Sequence, residues 1–397
     1  MSQVSERIAN LAESETLAMS QKSNELKAQG LNVINLSVGE PDFFTPQHIK
    51  DAAKKAIEDN FSFYTPVPGY LSLRQAICQK LEKENGLSFK PDQIICSNGA
   101  KQSVCNALLS VVNPGDEVII PAPCWVSYIE MVKLTEGKSI VVETDIEQDF
   151  KITPAQLEAA ITPKSKAIIL CSPSNPTGSV YTKAELEGLA NVLAKHPQII
   201  ILADEIYEHI NYIGKHESIA QFENVRERVV IINGVSKAYA MTGWRLGWMA
   251  APKWIAAACN KLQGQYTSGP SSIAQKAAEA AYIGDQQCVE NMRQAFSRRR
   301  DLIVKLASEI EGFRVNKPEG AFYLFPECSY YFGKSYNGRT INTSADLAMF
   351  LLEEGLVASV GGLAFAAPDY IRFSYATSDE NIVEAMRRVK ETLAKLK

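Results

Sequence analysis

The sequence predicts an α/β protein built on a mostly parallel, seven-stranded sheet with helices on both faces. Apolar runs of strand length recur near residues 94–97, 118–120, 139–143, 167–171, 199–203, 229–232 and 247–251. Segments of helical length separate most of them, and this alternation is typical of the crossover connections of parallel sheets. The chain has 397 residues, 46% of them apolar, which provides enough core for two domains.

The first strand, Ile94 to Ser97, runs through Asn98-Gly99 into a predicted helix from Ala100 to Val112. The free backbone amides and the dipole at the start of a helix attract anions such as phosphate. Many α/β proteins contain such a turn, so it does not by itself distinguish a phosphate site from an ordinary connection.

The run Ala167 to Cys171 leads into the loop Ser172 to Gly178, in which prolines flank Asn175. Ligands of open α/β sheets bind at the carboxyl edge of the strands, where this loop should lie. Prolines restrict the backbone, so the amide of Asn175 can be held toward a fixed partner. The alternative is an ordinary strand-to-helix turn.

The run Ile199 to Ala203 ends in Asp204, which should therefore lie at the same edge, with Tyr207 three residues further on. A carboxylate there can pair with a cationic nitrogen of a ligand, and the phenol of Tyr207 can donate a hydrogen bond to an oxygen of the same ligand. Alternatively, Asp204 caps a following helix.

The segment Ser236 to Trp248 follows the run 229–232 and carries Lys237 and Arg245. A lysine shielded from water can lose its proton and attack a carbonyl, and arginine grips phosphate at two points. An amine beside a phosphate clamp is what pyridoxal phosphate requires. Asp204 would then pair with its pyridine nitrogen and Tyr207 with its phenolate oxygen. A solvated surface lysine is the alternative.

Composition excludes several other classes of protein. The net charge is −4 without a sustained basic patch, which argues against nucleic acid as the main partner, and Arg298 to Arg300 are expected on a solvated helix face. Neither a membrane span nor a signal peptide is expected. Eight scattered cysteines without CxxC or Cys/His spacing indicate reduced thiols in a cytoplasmic protein and no metal site. No GxGxxG motif of the Rossmann type follows a strand.

Taken together, these segments resemble the class I/II aminotransferases, pyridoxal-phosphate enzymes of fold type I. The resemblance covers nearly the whole chain in the family's order, through segments 37–43, 64–69, 98–101, 125, 175, 204–207, 236–237, 245 and 371–374. Within the family, 123–128 and 233–237 look closest to the bacterial-type aspartate aminotransferase subgroup.

The resemblance implies a role for each matching residue. Lys237 would form the Schiff base and carry the proton, Asp204 would pair with the ring nitrogen, and Trp125 would cover the ring face. Asn175 and Tyr207 would bind the ring oxygen, and Arg372, with Asn175 and the backbone of Gly39, the substrate α-carboxylate. The phosphate would be surrounded by Gly99, Ala100, Lys101, Ser236, Arg245 and, from the other subunit of a homodimer, Tyr64.

The resemblance also implies domains: residues 48–295 would hold the cofactor, and residues 1–47 would join 296–397 in a small domain. The small domain would close on the substrate. The expected reaction is ping-pong transamination between an amino acid and a 2-oxo acid.

For the substrate, we expect aspartate and 2-oxoglutarate, because Lys101 can reach a distal carboxylate as it does in the subgroup. The subgroup often adds a basic residue in the N-terminal arm, and residues 11–14 offer none. A prephenate, aromatic or broad-specificity aminotransferase is the alternative, followed by a lyase of the same fold. The third alternative is a regulator that binds the cofactor without catalysis, but we recognise no DNA-binding domain of the kind that such a regulator would need.

Overall fold

The computed structural model describes residues 4–397. The α-helices are α1 (Glu6–Ala9), α2 (Glu15–Ala28), α3 (Gln47–Glu58), α4 (Leu71–Lys80), α5 (Ala100–Val111), α6 (Ser127–Leu134), α7 (Pro154–Ala160), α8 (Lys183–Ala194), α9 (Glu223–Arg226), α10 (Lys253–Tyr266), α11 (Ser272–Ile283), α12 (Gln287–Ser308), α13 (Ser344–Gly355) and α14 (Asp379–Leu393). The strands are β1 (Ile34–Asn35), β2 (Ile94–Ser97), β3 (Glu117–Ala122), β4 (Lys138–Glu143), β5 (Ser165–Cys171), β6 (Ile200–Asp204), β7 (Val229–Gly234), β8 (Gly247–Ala250), β9 (Tyr323–Leu324), β10 (Ser335–Tyr336), β11 (Arg339–Thr340), β12 (Val357–Ala358), β13 (Val360–Gly361) and β14 (Ile371–Ser374).

The central sheet has seven strands in the order β2-β8-β7-β6-β5-β3-β4. Strand β8 is antiparallel to both of its neighbours, and the other pairs are parallel. All seven predicted strands are present, so the predicted fold class is confirmed. The register aligns Cys171 with Asp204 and Asp204 with Ile232, so the loops that follow β5, β6 and β7 leave the sheet side by side.

Both faces of this sheet are buried, which explains the unbroken apolar runs. In β7, Val229 and Ile231 belong to one core cluster, whereas Val230 and Ile232 belong to the cluster on the opposite face. Because successive side chains of a strand point to opposite faces, a strand covered on both sides needs apolar residues at every position.

A separate core joins the N-terminal segment to the C-terminal third of the chain. It contains Ile34 and Leu36 together with side chains of α12, α13 and α14. Strand β1 pairs in parallel with β12, and β13, β14 and β9 form a three-stranded antiparallel sheet. The predicted boundary at 295/296 falls within α12, and the division into two domains stays a prediction.

The expectation that Arg298 to Arg300 form a solvated face is wrong for two of the three. Arg299 and Arg300 are buried, and both Arg299 terminal nitrogens donate to Asp42, at 2.7 and 2.9 Å. The guanidinium of Arg300 lies over the ring of Tyr212, 4.7 Å from its centre. Only Arg298 stays largely exposed, paired with Asp379. Intramolecular partners, which a charge run does not reveal, offset the cost of burial.

None of the helices described combines the length and the apolar character needed to cross a lipid bilayer.

Candidate active site

A cavity of about 380 Å³ opens at the carboxyl edge of the sheet, between the two cores. Of the predicted site residues, it is lined by Gly39, Ala100, Lys101, Trp125, Asn175, Asp204, Tyr207, Ser236, Lys237, Arg245 and Arg372. These residues come from every third of the chain, so the fold brings together nearly the whole predicted set.

Lys237 follows β7 and is partly buried. Its amine nitrogen Nζ donates to the carbonyl oxygen of Gly39 at 2.5 Å and lies 5.6 Å from the centre of the Tyr207 ring. Burial lowers the pKa of Lys237 to about 8. Because an amine with such a pKa is partly neutral at physiological pH, it can act both as a nucleophile and as a proton carrier.

Asp204 ends β6 and is buried. Its Oδ2 accepts a hydrogen bond from the phenol of Tyr128 at 2.6 Å, and its Oδ1 accepts one from the backbone amide of Ile206 at 3.3 Å. No helix follows directly, so the alternative in which Asp204 is a helix cap is wrong. Burial raises the pKa of Asp204 to about 6, and within residues 4–397 no basic side chain forms an ion pair with it.

The opposite end of the cavity is formed by the start of α5 and by Arg245. Gly99 precedes the helix with a φ of +85°, and a Cβ there would overlap the guanidinium of Arg245. A Cβ at Gly247 would overlap the backbone nitrogen of Ala100, so glycine is needed for this close approach. Arg245 donates only to the carbonyl oxygens of Thr242 and Asn98, at 2.9 and 3.2 Å, which leaves its charge without a carboxylate among the described residues.

Arg372 lies in β14 and is 2% exposed. Its guanidinium donates to Asn175 Oδ1 at 2.9 Å and to the carbonyl oxygen of Ser37 at 2.6 Å, while its buried Nε has no hydrogen-bond partner in the part of the chain that the structure describes. The group also lies over the ring of Tyr323, 4.6 Å from its centre. A buried arginine that is not paired with an acid can bind an anionic ligand.

Lys101 and Trp125 lie together on one wall. The Lys101 amine is 4.9 Å from the centre of the Trp125 ring, and burial together with the nearby Arg245 charge lowers its pKa. Ser14, Thr16 and Leu17 of the N-terminal arm line the same cavity. Residues 11–14, which contain no basic side chain, are thus followed by polar and apolar side chains at the cavity wall.

Two predicted site residues do not line the cavity of this chain. Gly99 lies just behind its wall, against Arg245. Tyr64 is 99% exposed and touches nothing in the cavity. The role expected for Tyr64 requires a second subunit.

Sequence reasoning missed two tyrosines. The phenol of Tyr323 is hydrogen-bonded to that of Tyr207, at 2.7 Å. The phenol of Tyr128 contacts Asp204. Tyr323 is in an apolar run and Tyr128 in an apolar helix, so only the three-dimensional arrangement distinguishes them from core residues.

Acidic side chains and histidine also cluster behind Asp204, where no sequence spacing indicates a metal site. Potential ligand atoms of Glu205, Glu208 and His216 lie within 4.8 Å of one another. Lys80 forms a buried ion pair with Glu208, and the Asn233 amide donates to the same carboxylate at 2.9 Å. Because the Lys80 ammonium already supplies a positive charge, we interpret the cluster as a structural ion-pair network.

Comparisons with known proteins agree with this geometry. The family described as aminotransferase class I and II matches residues 32–389. A protein of Petunia hybrida named bifunctional aspartate aminotransferase and glutamate/aspartate-prephenate aminotransferase is 48% identical over 99% of this chain and 83% of its own length.

Two solved structures share the fold over the whole chain. The aspartate aminotransferase of Rhizobium meliloti superposes with a TM-score of 0.96 at 41% identity and covers 100% of both chains. The aspartate aminotransferase of Thermus thermophilus, solved with maleate, has a TM-score of 0.92 at 39% identity and covers 99% of this chain and 100% of its own. The chain therefore belongs to the class I and II aminotransferase family.

Proposed function

We propose that this protein is a pyridoxal-phosphate-dependent aminotransferase that exchanges an amino group between aspartate and 2-oxoglutarate. The observation that carries the proposal is the arrangement of three groups around one cavity. Lys237 supplies a partly neutral amine. Among residues 4–397, Asp204 is an anion without a cationic partner and Arg245 is a cation without an anionic partner. Relatives named as aspartate aminotransferases support the substrate.

The residues present fit the cofactor. Asp204 complements a protonated ring nitrogen, and Arg245, Ser236 and the backbone of Gly99, Ala100 and Lys101 complement a phosphate. When bound, the cofactor supplies an aldehyde for the Lys237 amine and a ring that accepts an electron pair.

The sides of the ring have candidate partners as well. Since the Asn175 Oδ1 already accepts from Arg372, its Nδ2 can donate to the ring oxygen, together with the phenol of Tyr207. Trp125 offers an aromatic surface for the ring face.

For the substrate α-carboxylate, we assign Arg372, Asn175 and the backbone of Gly39. The Arg372 side chain is held from two sides, and its Nε has no partner among the described residues. Lys237 then moves a proton at Nζ between the substrate α-carbon and the cofactor, a task that suits a pKa near 8.

Lys101 is the proposed partner of the distal carboxylate of aspartate. Its amine lies at the cavity wall over Trp125, and no carboxylate of the described residues pairs with it. Maleate, found with the Thermus thermophilus relative, is itself a dicarboxylate. A charged contact to a substrate carboxylate is worth about 1.5–3 kcal/mol.

A homodimer completes the site in this proposal, because Tyr64 would reach the phosphate bound by the partner. The side chains of Phe44, Phe63 and Tyr64 are 92%, 83% and 99% exposed. Phenylalanine and tyrosine are enriched in protein interfaces, so their exposure supports a partner surface. Light scattering should show a dimer. Tyr64→Phe should weaken the binding of pyridoxal phosphate, while the molar mass measured by light scattering stays that of the dimer.

We further propose that residues 1–47 and 296–397 form a small domain that closes over the 48–295 domain, and that the protein is cytoplasmic. The separate core shared by the two ends of the chain supports the division. The eight cysteines, all free, agree with a reducing compartment.

Prephenate is the second candidate amino acceptor, since the Petunia hybrida relative is named for both reactions. Two tests separate the candidates. Purified protein loaded with pyridoxal phosphate should convert aspartate to its 2-oxo acid much faster than it converts alanine or phenylalanine, and Lys237→Ala should do neither. Comparable rates for all amino acids would contradict the aspartate assignment. Amino transfer from glutamate to prephenate, assayed in parallel, would add the second activity.

A further inference from the structure

The phenol of Tyr128 makes the shortest hydrogen bond to Asp204, at 2.6 Å from Oδ2. Tyr128 lies in the first turn of α6 and is 1% exposed, and Asp204 is 4% exposed. Because both side chains are buried, bulk water does not compete for this hydrogen bond. A phenol that donates to a buried carboxylate favours its ionised form and fixes its orientation.

Other groups around Asp204 do not take this role. Within the described chain, its second oxygen has only the longer contact from the Ile206 amide, at 3.3 Å. Glu205, next in the chain, pairs with Ser218 and His216. Cys171 faces Asp204 from β5 as a protonated thiol, since burial raises its pKa to about 12, and Lys237 donates to Gly39 instead.

Tyr128 is itself held in place from the cavity side. Its ring meets the Trp125 ring edge-on, with centres 5.3 Å apart and planes at 90°. Its backbone amide donates to the Trp125 carbonyl oxygen at 3.0 Å. The same turn therefore connects the cavity wall to the carboxylate at the end of β6.

We propose that Tyr128 is a positioning residue that acts through Asp204, holding its Oδ2 so that the carboxylate stays ionised and points at the cofactor ring nitrogen. This inference rests on the proposed function, in which Asp204 pairs with that nitrogen. Sequence reasoning assigned Tyr128 no role.

The direction of its effect follows from the environment of Asp204. Burial raises the pKa of Asp204 to about 6, and the Tyr128 phenol opposes this rise. Removal of the phenol oxygen therefore raises the pKa further, so a larger fraction of Asp204 is protonated near neutral pH. A protonated Asp204 no longer offers a charge to a cationic ring nitrogen.

The test compares Tyr128→Phe with wild type and with Tyr331→Phe. Tyr331 is also buried, and its phenol donates to the Glu311 carbonyl oxygen away from the cavity. Cofactor-free protein is titrated with pyridoxal phosphate by absorbance from pH 5 to pH 9. Tyr128→Phe should bind about 10- to 100-fold more weakly at neutral pH, the range expected for loss of a hydrogen bond to a charged group. As the pH is lowered, Tyr128→Phe should begin to lose affinity for pyridoxal phosphate at a higher pH than wild type does. Tyr331→Phe should match wild type in both affinity and pH dependence.

A double-mutant cycle with Asp204→Asn shows whether Tyr128 acts through Asp204. When Asp204→Asn is already present, the addition of Tyr128→Phe should change affinity by less than about 3-fold. An undiminished effect there, or unchanged affinity and pH dependence for Tyr128→Phe alone, would overturn the inference. Wild-type protein that binds no pyridoxal phosphate would instead contradict the proposed function on which the inference rests.

Discussion

The amine of Lys237 donates to the carbonyl oxygen of Gly39 at 2.5 Å, although 198 residues separate them in the chain. Lys237 follows strand β7 of the seven-stranded sheet, whereas Gly39 belongs to the N-terminal segment that joins the second core. The contact places the reactive amine where the two cores meet. Gly39 also lies against Tyr323, whose phenol oxygen a Cβ at position 39 would overlap.

The close approach of Gly39 to Tyr323 predicts that Gly39→Ala impairs the site, because the added Cβ meets the Tyr323 hydroxyl oxygen. The added Cβ collides with the Tyr323 hydroxyl, while the ring carbons stay at ordinary contact distance. We expect kcat/KM for aspartate to fall by about 100-fold, the size of effect that small misplacements of a site cause. Gly264→Ala, where a Cβ meets only ordinary contacts, serves as the control. Addition of Tyr323→Phe to Gly39→Ala should recover part of the loss, and no recovery would refute the proposed collision.

The lowered pKa of Lys237 predicts unusual reactivity in the cofactor-free protein. A free lysine titrates near 10.4, and burial brings Lys237 to about 8. Labelling by a small amine-directed reagent, followed by peptide mass spectrometry, should therefore reach half of its maximal rate at Lys237 near pH 8. A midpoint close to that of a free lysine would show that the cavity does not desolvate the amine.

Asp204 predicts a stability that depends on pH. Its pKa is raised from about 3.8 to about 6, so the native state retains a proton that the unfolded chain has lost between these values. Wild-type stability thus falls relative to Asp204→Asn as pH rises from about 4 to about 7, where the difference levels off. At about 1.4 kcal/mol for each pKa unit, the full change is about 3 kcal/mol, of which about 2.4 kcal/mol falls between pH 4 and pH 7, because the unfolded carboxyl is already more than half ionised at pH 4.

Urea unfolding of both cofactor-free proteins at pH 4 and pH 7 measures this change directly. The other ionisable groups cancel in the difference between the two proteins. A difference in the free energy of unfolding that is the same at both pH values would contradict the raised pKa.

Lys101 predicts a selective effect on dicarboxylates. Lys101→Met should lower kcat/KM for aspartate by about 30- to 150-fold, which corresponds to about 2–3 kcal/mol of lost charged contact. With alanine, which lacks the distal carboxylate, the change should be small. Lys54→Met, at a side chain that is 68% exposed, should affect neither substrate. Equal losses with aspartate and alanine would make Lys101 a phosphate-binding residue instead.

The sequence predicted the sheet well because apolar runs depend on burial alone. All seven strands of the central sheet coincide with such runs, which end at polar or glycine-rich loops. The register of the sheet then aligns Asp204 with the end of the neighbouring strand β5. Eleven of the predicted site residues line one cavity. Asn175, Asp204 and Lys237 meet there because the strands before them end at one edge of the sheet. Gly39 and Arg372 lie outside this sheet and were predicted only from the family resemblance.

Contacts between side chains that are far apart in the chain could not be predicted from the sequence. Tyr128 and Tyr323 look like core residues until their phenols are seen on Asp204 and Tyr207. The burial of Arg299 depends on Asp42, which is 257 residues away. Such pairs depend on packing between elements that are distant in the chain, and local sequence patterns do not reveal that packing.

The central claim is that Lys237 carries the cofactor. Protein loaded with pyridoxal phosphate should be reduced with borohydride, digested and examined by peptide mass spectrometry, with Lys237→Ala as the control. We predict one stoichiometric adduct on Lys237 in the wild type and its disappearance in the variant. An adduct on another lysine, or none at all, would contradict the account.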